Sequence, residues 1–286
     1  MPVLSELNLY PIKSCAGIAL REATVTAAGL MSEQIYDREW MVVDHNGVSL
    51  TQREYPLLAT VTPRIKPDTM ELRAPGMMRL EIPLGLPDPA DNPRVLNVRV
   101  WYDSAWVLAY DCDDTTATWF SKLLGTPCRL VRFHANVQRY SDKQWTGCAE
   151  TPILFSDGYP MLVISQASLA DLNDKLKAQQ RQALPMNRFR PNIVIDGIGA
   201  FEEDYAALIK IGAAVLKPVK PCPRCVIPSI DQATGQTGPN PLDILQIYRA
   251  NARLNGAVTF GTNALLLEGD GQLLRVGQEA DVTLAF

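Results

Sequence analysis

The chain has 286 residues, 47% of them apolar and 20% charged, enough to bury a substantial core in one or two domains and too apolar for a disordered chain or a fibre. Its 27 Lys and Arg stand against 31 Asp and Glu, a formal net charge of −4, which excludes a nucleic-acid binder relying on a broad field of phosphate-neutralising side chains and makes any basic site a local one. With two histidines, His45 and His134, a centre built from converging imidazoles is excluded too, so metal chemistry here requires sulfur or a bound cofactor.

The opening Met1-Pro2-Val3-Leu4 carries no basic stretch followed by an apolar core, and nowhere do apolar residues run long enough to cross a bilayer; the expectation is a cytoplasmic protein with no membrane span. In the first hundred residues strand-like segments dominate. Leu7 and Leu9 alternate with Asn8 and Tyr10, and Trp40–Val43 is followed by Asp44-His45-Asn46-Gly47 and Val48-Ser49-Leu50. That Asn-Gly pair predicts a tight hairpin with both central residues at positive φ. The proline-dense stretch from Pro63 to Pro93 predicts edge strands and loops, not a long helix.

A first helix is predicted over 114–124, with Trp119, Phe120, Leu123 and Leu124 on its apolar face and Gly125 as its stop. Ala135–Glu150 is polar and reads as a solvated loop or linker; its Arg139, Lys143 and Trp145 also suit a flap over a site. A second helix is predicted from Ser168, capped with Asp171 and burying Leu169, Leu172 and Leu176. A third follows Asn240-Pro241 and buries Leu242, Leu245 and Tyr248. Around these helices lie strands at 193–195, 208–211, 258–260, 265–267 and 282–285. Few helices among many short strands predict an α+β fold, a barrel or sandwich with helices outside.

Six cysteines occur, at 15, 112, 128, 148, 222 and 225. Without a secretory signal they read as reduced thiols, not a disulfide framework. Cys222-Pro223-Arg224-Cys225 lacks the second cysteine pair of a zinc site, and Val226-Ile227-Pro228 is a poor helix start for a thioredoxin-like dithiol. What remains is a proline-stiffened loop holding an arginine beside a thiol and favouring its thiolate, a metal ligand or a nucleophile. In Arg190-Pro191-Asn192 the proline predicts an extended Arg190, so that Arg190 and Asn192 face one side as a phosphate or heterocycle clamp; a strand edge with a surface ion pair is the alternative. Tyr10-Pro11-Ile12-Lys13-Ser14-Cys15-Ala16-Gly17 runs from a strand into a small-residue turn presenting Lys13 and Ser14, a weak phosphate signature without P-loop spacing.

These pieces occur in one order with Asp37-Arg38-Glu39-Trp40, Ser156-Asp157-Gly158-Tyr159-Pro160, Glu202-Glu203-Asp204, Asp231-x-x-Thr234-Gly235 and Thr259-Phe260-Gly261. Together they resemble the MOSC-domain proteins, in particular the branch of the mitochondrial amidoxime reducing component and the bacterial reductases of N-hydroxylated bases. The resemblance runs from Leu9 to about Val276. It implies a β-barrel MOSC catalytic domain with packed helices over 132–286 and a β-rich N-terminal region over 1–131, whose first strands, to about residue 38, complete the barrel.

It also implies the molybdenum cofactor, Mo-molybdopterin, ligated by Cys225 with Cys222 a non-ligand neighbour. Lys13, Ser14, Arg38, Arg190, Asn192, Arg224 and Asn263 fall where the family holds the pterin and its phosphate, and Asp157 would be a proton donor, a water-orienting group or a turn residue. Pro223 stands where relatives often have serine, and Gly158-Tyr159 where some have threonine and serine. The implied activity is reduction of N-hydroxylated bases, amidoximes or hydroxylamines by oxygen removal. Its electrons would come from an external ferredoxin-type iron–sulfur protein or reductase, since no nucleotide-binding glycine loop or cluster-spaced cysteines occur. The alternative is a cofactor carrier or sulfur-transfer protein without turnover.

Overall fold

The computed structural model describes residues 1–88, 90, 93–147 and 150–285. The α+β class holds, with sheet predominating. A nine-stranded sheet forms the frame of the molecule. Strand Val3–Leu9 pairs antiparallel with Ile18–Leu20 on one side and Ile193–Asp196 on the other. Met161–Ser165 lies parallel to Ile193–Asp196, joined by the crossover helix Gln166–Ala178, and antiparallel to the long strand Ala257–Glu268. From there the sheet continues through Ala214–Pro223, Ala206–Ile211 and Ala280–Leu284. As a ladder this path is open; its second strand, Val3–Leu9, meets the start of its last strand at an isolated bridge between Val3 and Glu279, with Leu4 N donating to Gln278 O at 2.8 Å and Ala280 N to Pro2 O at 2.9 Å. The first two strands thus lie in the sheet otherwise built by the second half of the chain.

Three smaller sheets surround the frame. Trp40–Val43 pairs with Arg129–Phe133, which continues to Val107–Asp111 and Val95–Val98. Glu22–Thr26 joins Gly29–Ser32 and Gln272–Arg275. The proline-dense stretch forms the meander Thr62–Ile65, Thr69–Arg73 and Leu80–Pro83; Pro89, Asp91 and Asn92 within it lie outside the described residues.

Local chemistry explains most boundaries and corrects several. Helix Asp114–Leu124 starts where Asp113 accepts from Thr116 N at 2.6 Å and stops at Gly125, φ +68°, as its sequence predicts. The second helix starts earlier than Ser168: Ser165, the extended last residue of its strand, is the cap and accepts from Ser168 N at 3.0 Å, leaving Asp171 to pair with Lys175. In helix Leu242–Arg249 Asn240 accepts from Leu242 N at 3.1 Å, but Ile244 joins Leu245 in the core while Leu242 and Tyr248 are only half-buried. The Asn46-Gly47 turn places only Gly47 at positive φ, because the Asp44 carboxylate binds the amides of Asn46 and Val48 and closes a wider loop. The segments 258–260 and 265–267 form one strand; Gly261, at φ +73°, bends it where a Cβ would lie 2.5 Å from Ile164 Cγ1.

One buried ion pair gives a pH prediction. Asp204 and Arg249 pair beneath helix Leu242–Arg249, with Asp204 7% exposed and its Oδ1 unpartnered. Burial pushes Asp204 up to about 6, Arg249 opposes this, and neighbouring Glu203 adds to the rise. Below the ordinary aspartate value both folded and unfolded chains hold the proton, so this group's contribution to stability is complete there and is lost as pH rises to about 6. The loss follows about 1.4 kcal/mol per pH unit across that window. Asp204→Asn is expected to flatten the pH–stability curve between roughly pH 4 and 6 relative to wild type, read by urea denaturation at each pH. An unchanged slope would refute this assignment.

Candidate functional site

All nine residues singled out for the site line one cleft of about 320 Å³: Lys13, Ser14, Arg38, Asp157, Arg190, Asn192, Arg224, Cys225 and Asn263. They come from six separated segments, so the tertiary fold alone brings them together. The first strand ends at Tyr10-Pro11, where Pro11 O accepts from Trp40 N at 3.0 Å and Lys13 N donates to Trp40 O at 2.8 Å. The chain then turns tightly, Cys15 N donating to Ile12 O at 3.1 Å with Ser14 at φ +67°. The small residues of this turn are needed, since a Cβ at Gly17 would lie 2.5 Å from Tyr10 Cε1.

Tyr10 organises the basic wall. The guanidinium of Arg38 lies 4.5 Å from its ring centroid and that of Arg190 4.3 Å. Burial pushes the phenol up to about 12, so it stays a neutral donor, to Pro191 O at 3.2 Å. Arg38 pairs with buried Asp37 and donates to Asn192 Oδ1 at 3.1 Å. Arg190 departs from its sequence expectation: it is not extended but at φ +55°, so the strand alternation that would aim Arg190 and Asn192 together does not operate. Both reach the cleft because the chain enters strand Ile193–Asp196 only after Pro191. Ser14, Arg38 and Arg190 all hold left-handed backbone, at φ +67°, +51° and +55°, a concentration of strain typical of a site whose geometry the surroundings impose.

Arg190 is 8% exposed, and its Nη2 has no hydrogen-bond partner, while Nη1 donates to Gln232 Oε1 at 3.3 Å. Burial, reinforced by Arg38, pulls its pKa down to about 10 against the attraction of Tyr10. Such a desolvated, half-satisfied cation is costly alone and receptive to an anion. Gln232, in the loop after Asp231, exchanges hydrogen bonds with fully buried Gln52, which donates to Ser14 O at 2.6 Å.

On the opposite wall Lys13 donates to Phe155 O at 3.1 Å and pairs with Asp157. Burial lowers the Lys13 pKa, with Asp157 opposing. For Asp157, desolvation works upward, but Lys13, then Arg38 and Arg53, outweigh it and hold the carboxyl below its ordinary value. The loop carrying Asp157 is anchored by Arg139, which donates to the carbonyls of Leu154 at 2.7 Å, Ser156 at 2.6 Å and Asp157 at 3.2 Å. The segment 135–150 is therefore more than a solvated loop: Arg139 braces the cleft, and Trp145 packs its ring against Lys220 and Arg253 at 5.2 and 5.3 Å. Cys148 and Ala149 lie outside the described residues.

Cys222 lies in strand Ala214–Pro223 and Cys225 beyond its end, before the single turn Ile227–Ser229. Arg224 sits against Cys222, Nη1 to Sγ at 3.4 Å, and donates to Phe189 O at 2.8 Å. The expected thiolate-favouring effect is outweighed at Cys222, where burial raises the thiol pKa despite Arg224. Asn263 donates to Lys220 O at 3.1 Å, tying the neighbouring strands beneath the thiols. Sequence reading missed Thr51, Arg53 and Trp101, which the N-terminal half contributes to the lining. They sit outside the site motifs: Lys13 and Arg53 stack on Trp101 at 5.1 and 4.4 Å, Thr51 Oγ1 accepts from Arg53 Nε at 3.3 Å, and the Arg53 charge acts on Asp157.

Residues 1–127 match the model of the MOSC N-terminal beta barrel domain and residues 150–281 that of the MOSC domain. Mitochondrial amidoxime reducing component 2 of Bos taurus is 36% identical over 250 residues, covering 86% of this chain and 72% of that protein. Mitochondrial amidoxime-reducing component 1 of Mus musculus is 35% identical over 282 residues, covering 96% and 80%. Molybdenum cofactor sulfurase of Homo sapiens is 35% identical over 249 residues, covering 82% of this chain and 27% of that protein.

The MOSC domain is a molybdenum-cofactor-binding domain, and the cofactor of this protein is accordingly the molybdenum cofactor. The cleft suits a phosphate-bearing pterin cofactor. Lys13, Arg38, Arg53, Arg190 and Arg224 accompany a single lining carboxylate, Asp157, Arg190 has a buried unpaired donor, and Cys222 and Cys225 line the same cleft. No group of three His, Cys, Asp or Glu that could cage a metal occurs among the described residues. With both domain models matched in order and amidoxime reducing components similar over most of its length, the chain belongs to the MOSC-domain family.

Proposed function

We propose that the protein is a molybdenum-dependent reductase of N-hydroxylated compounds, converting N-hydroxylated bases, amidoximes or hydroxylamines to the corresponding N–H compounds. The observation that carries this reading is the convergence of one thiol-bearing loop, five cations and one carboxylate on a single cleft; the names of the amidoxime-reducing relatives support the reaction class. Each N–O cleavage consumes two electrons and two protons, giving an N–H bond and water. When bound, the cofactor supplies a Lewis-acidic metal that can take up oxygen and exchange two electrons.

The chain's own residues bind and position. Cys225 is the protein thiolate for the metal, and Lys13, Ser14, Arg38, Arg190, Asn192, Arg224 and Asn263 hold the pterin and its phosphate. Asp157, ionised by its pair with Lys13, accepts hydrogen bonds and does not donate a proton in that state. The proton-bearing atom of the pair is Lys13 Nζ, which burial makes a readier donor. We assign the electrons to an external ferredoxin-type iron–sulfur protein or reductase.

Protein produced in a host that synthesises the cofactor is expected to carry about one molybdenum and one pterin per chain and to oxidise a reduced viologen dye when given benzamidoxime. Protein that remains metal-free and takes up no supplied pterin would overturn the reading. Loaded protein without dye-linked turnover would instead indicate the carrier or sulfur-transfer role.

A further inference from the structure

Two adjacent residues of one loop treat two arginines differently. Asp231 Oδ2 accepts from Arg188 Nη2 at 2.7 Å, an ion pair, whereas Gln232 Oε1 accepts from Arg190 Nη1 at 3.3 Å. Arg190 lines the cleft and Arg188 does not. Arg38, also in the lining, has a carboxylate of its own in Asp37. Arg190 is met by a neutral amide and keeps a buried Nη2 without a hydrogen-bond partner.

The loop that delivers this amide is fixed from within and from the N-terminal half. Asp231 Oδ1 accepts from the amides of Ala233 and Thr234, both at 3.0 Å, and Gly235, at φ +71°, sits where a Cβ would lie 3.1 Å from Pro56 O. Half-buried Gln232 and fully buried Gln52 form a reciprocal amide pair, Gln52 Nε2 donating to Gln232 Oε1 at 3.1 Å and Gln232 Nε2 to Gln52 Oε1 at 3.0 Å. Their outer partners fix which way each amide points, because a guanidinium only donates and a carbonyl only accepts. Gln232 therefore turns Oε1 to Arg190 and Nε2 to Ile230 O at 3.1 Å, and Gln52 turns Nε2 to Ser14 O at 2.6 Å. One hydrogen-bonded chain runs from the Ser14 turn through two amides to Arg190.

An uncharged acceptor orients a guanidinium through one hydrogen bond and leaves its charge available, whereas a carboxylate in the same place neutralises it. We propose that Gln232 is a positioning residue for the anion held at Arg190: it orients that guanidinium without neutralising it, and through Gln52 sets it in register with the Ser14 turn. The inference rests on Arg190 as part of the cofactor clamp and not on the reductase reading.

Packing and positioning predict opposite rankings of two variants. If Gln232 served packing alone, the isosteric Gln232→Glu would be milder than Gln232→Leu. If it keeps Arg190 charged and oriented, Gln232→Glu is the worse change, since the new carboxylate competes with the cofactor for the same cation. The test times the loss of cofactor from loaded protein by gel filtration and pterin fluorescence after oxidation, with thermal melting to establish that each variant is folded; pterin per chain gives the ranking where a variant loads too little to time. Gln232→Glu is expected to release cofactor about tenfold faster than wild type or more, and Gln232→Leu to show a smaller acceleration. In an Arg190→Ala background either change should alter release by less than about twofold. Should Gln232→Glu fail to fold, Gln232→Leu with and without Arg190→Ala still decides. A Gln232→Glu effect no larger than that of Gln232→Leu, or an acceleration by either that persists undiminished in the Arg190→Ala background, overturns the proposal. Unchanged release from Arg190→Ala alone would remove Arg190 from the clamp and this inference with it.

Discussion

Replacing Cys225 with serine is expected to reduce dye-linked turnover to background, whereas Cys222→Ser keeps most of it. Under the proposed assignment Cys225 is the protein sulfur on the metal; a serine hydroxyl is a harder and far less acidic ligand than a thiolate, so that ligand would be lost while the proposed pterin and phosphate contacts remain. Cys222 has a different local role. Its Sγ accepts a 3.4 Å contact from Arg224, which Phe189 O also holds at 2.8 Å, so the arginine stays in place when the sulfur is replaced. The half-buried thiol contributes packing worth on the order of 1 kcal/mol. A disulfide or zinc pair would make the two positions equivalent. Rates and molybdenum content for both variants decide the matter, and equal loss of activity would defeat the assignment.

The second large effect is expected in cofactor content. Arg190 and Arg224 together should supply charge-assisted hydrogen bonds to an anionic group, each worth roughly 1.5 to 3 kcal/mol, or about tenfold to a hundredfold in occupancy. The double variant Arg190→Ala, Arg224→Ala is therefore expected to purify nearly pterin-free. The apoprotein should nonetheless fold. Arg190 is buried with an unpaired Nη2 and a pKa drawn down to about 10, so in the absence of an anion its removal relieves a desolvation cost of about 1 to 3 kcal/mol. The single Arg190→Ala apoprotein should thus melt no lower than wild-type apoprotein even as cofactor occupancy falls. Full pterin content in the double variant would remove both arginines from the clamp.

Whatever depends on neighbours in sequence was legible before the structure. The 114–124 helix and its Gly125 stop, the strands at 193–195 and 208–211, and the exclusion of a long helix from the proline-dense stretch all follow from caps, periodicity and backbone restrictions acting over a few residues. The inventory of site residues came instead from the family resemblance of the ordered motifs that carry them. Local reasoning failed where a distant partner outcompeted it. Ser165 displaced Ser168 as a helix cap because it ends a strand already paired in the sheet, and Arg190 sits at the exit of the single turn Met186–Arg188, its N donating to Asn187 O at 3.3 Å, with its guanidinium 4.3 Å from the Tyr10 ring.

The cleft itself belongs wholly to tertiary structure. No sequence spacing relates Lys13 to Asp157, or Trp101 to either; they meet because the first strand crosses to pair with Ile193–Asp196 and the N-terminal sheets fold over that edge. The charge states are decided there too. Burial and the few ångströms between guanidinium, phenol, carboxylate and ammonium determine which groups hold protons, and those separations are properties of long-range packing, not of neighbours along the chain.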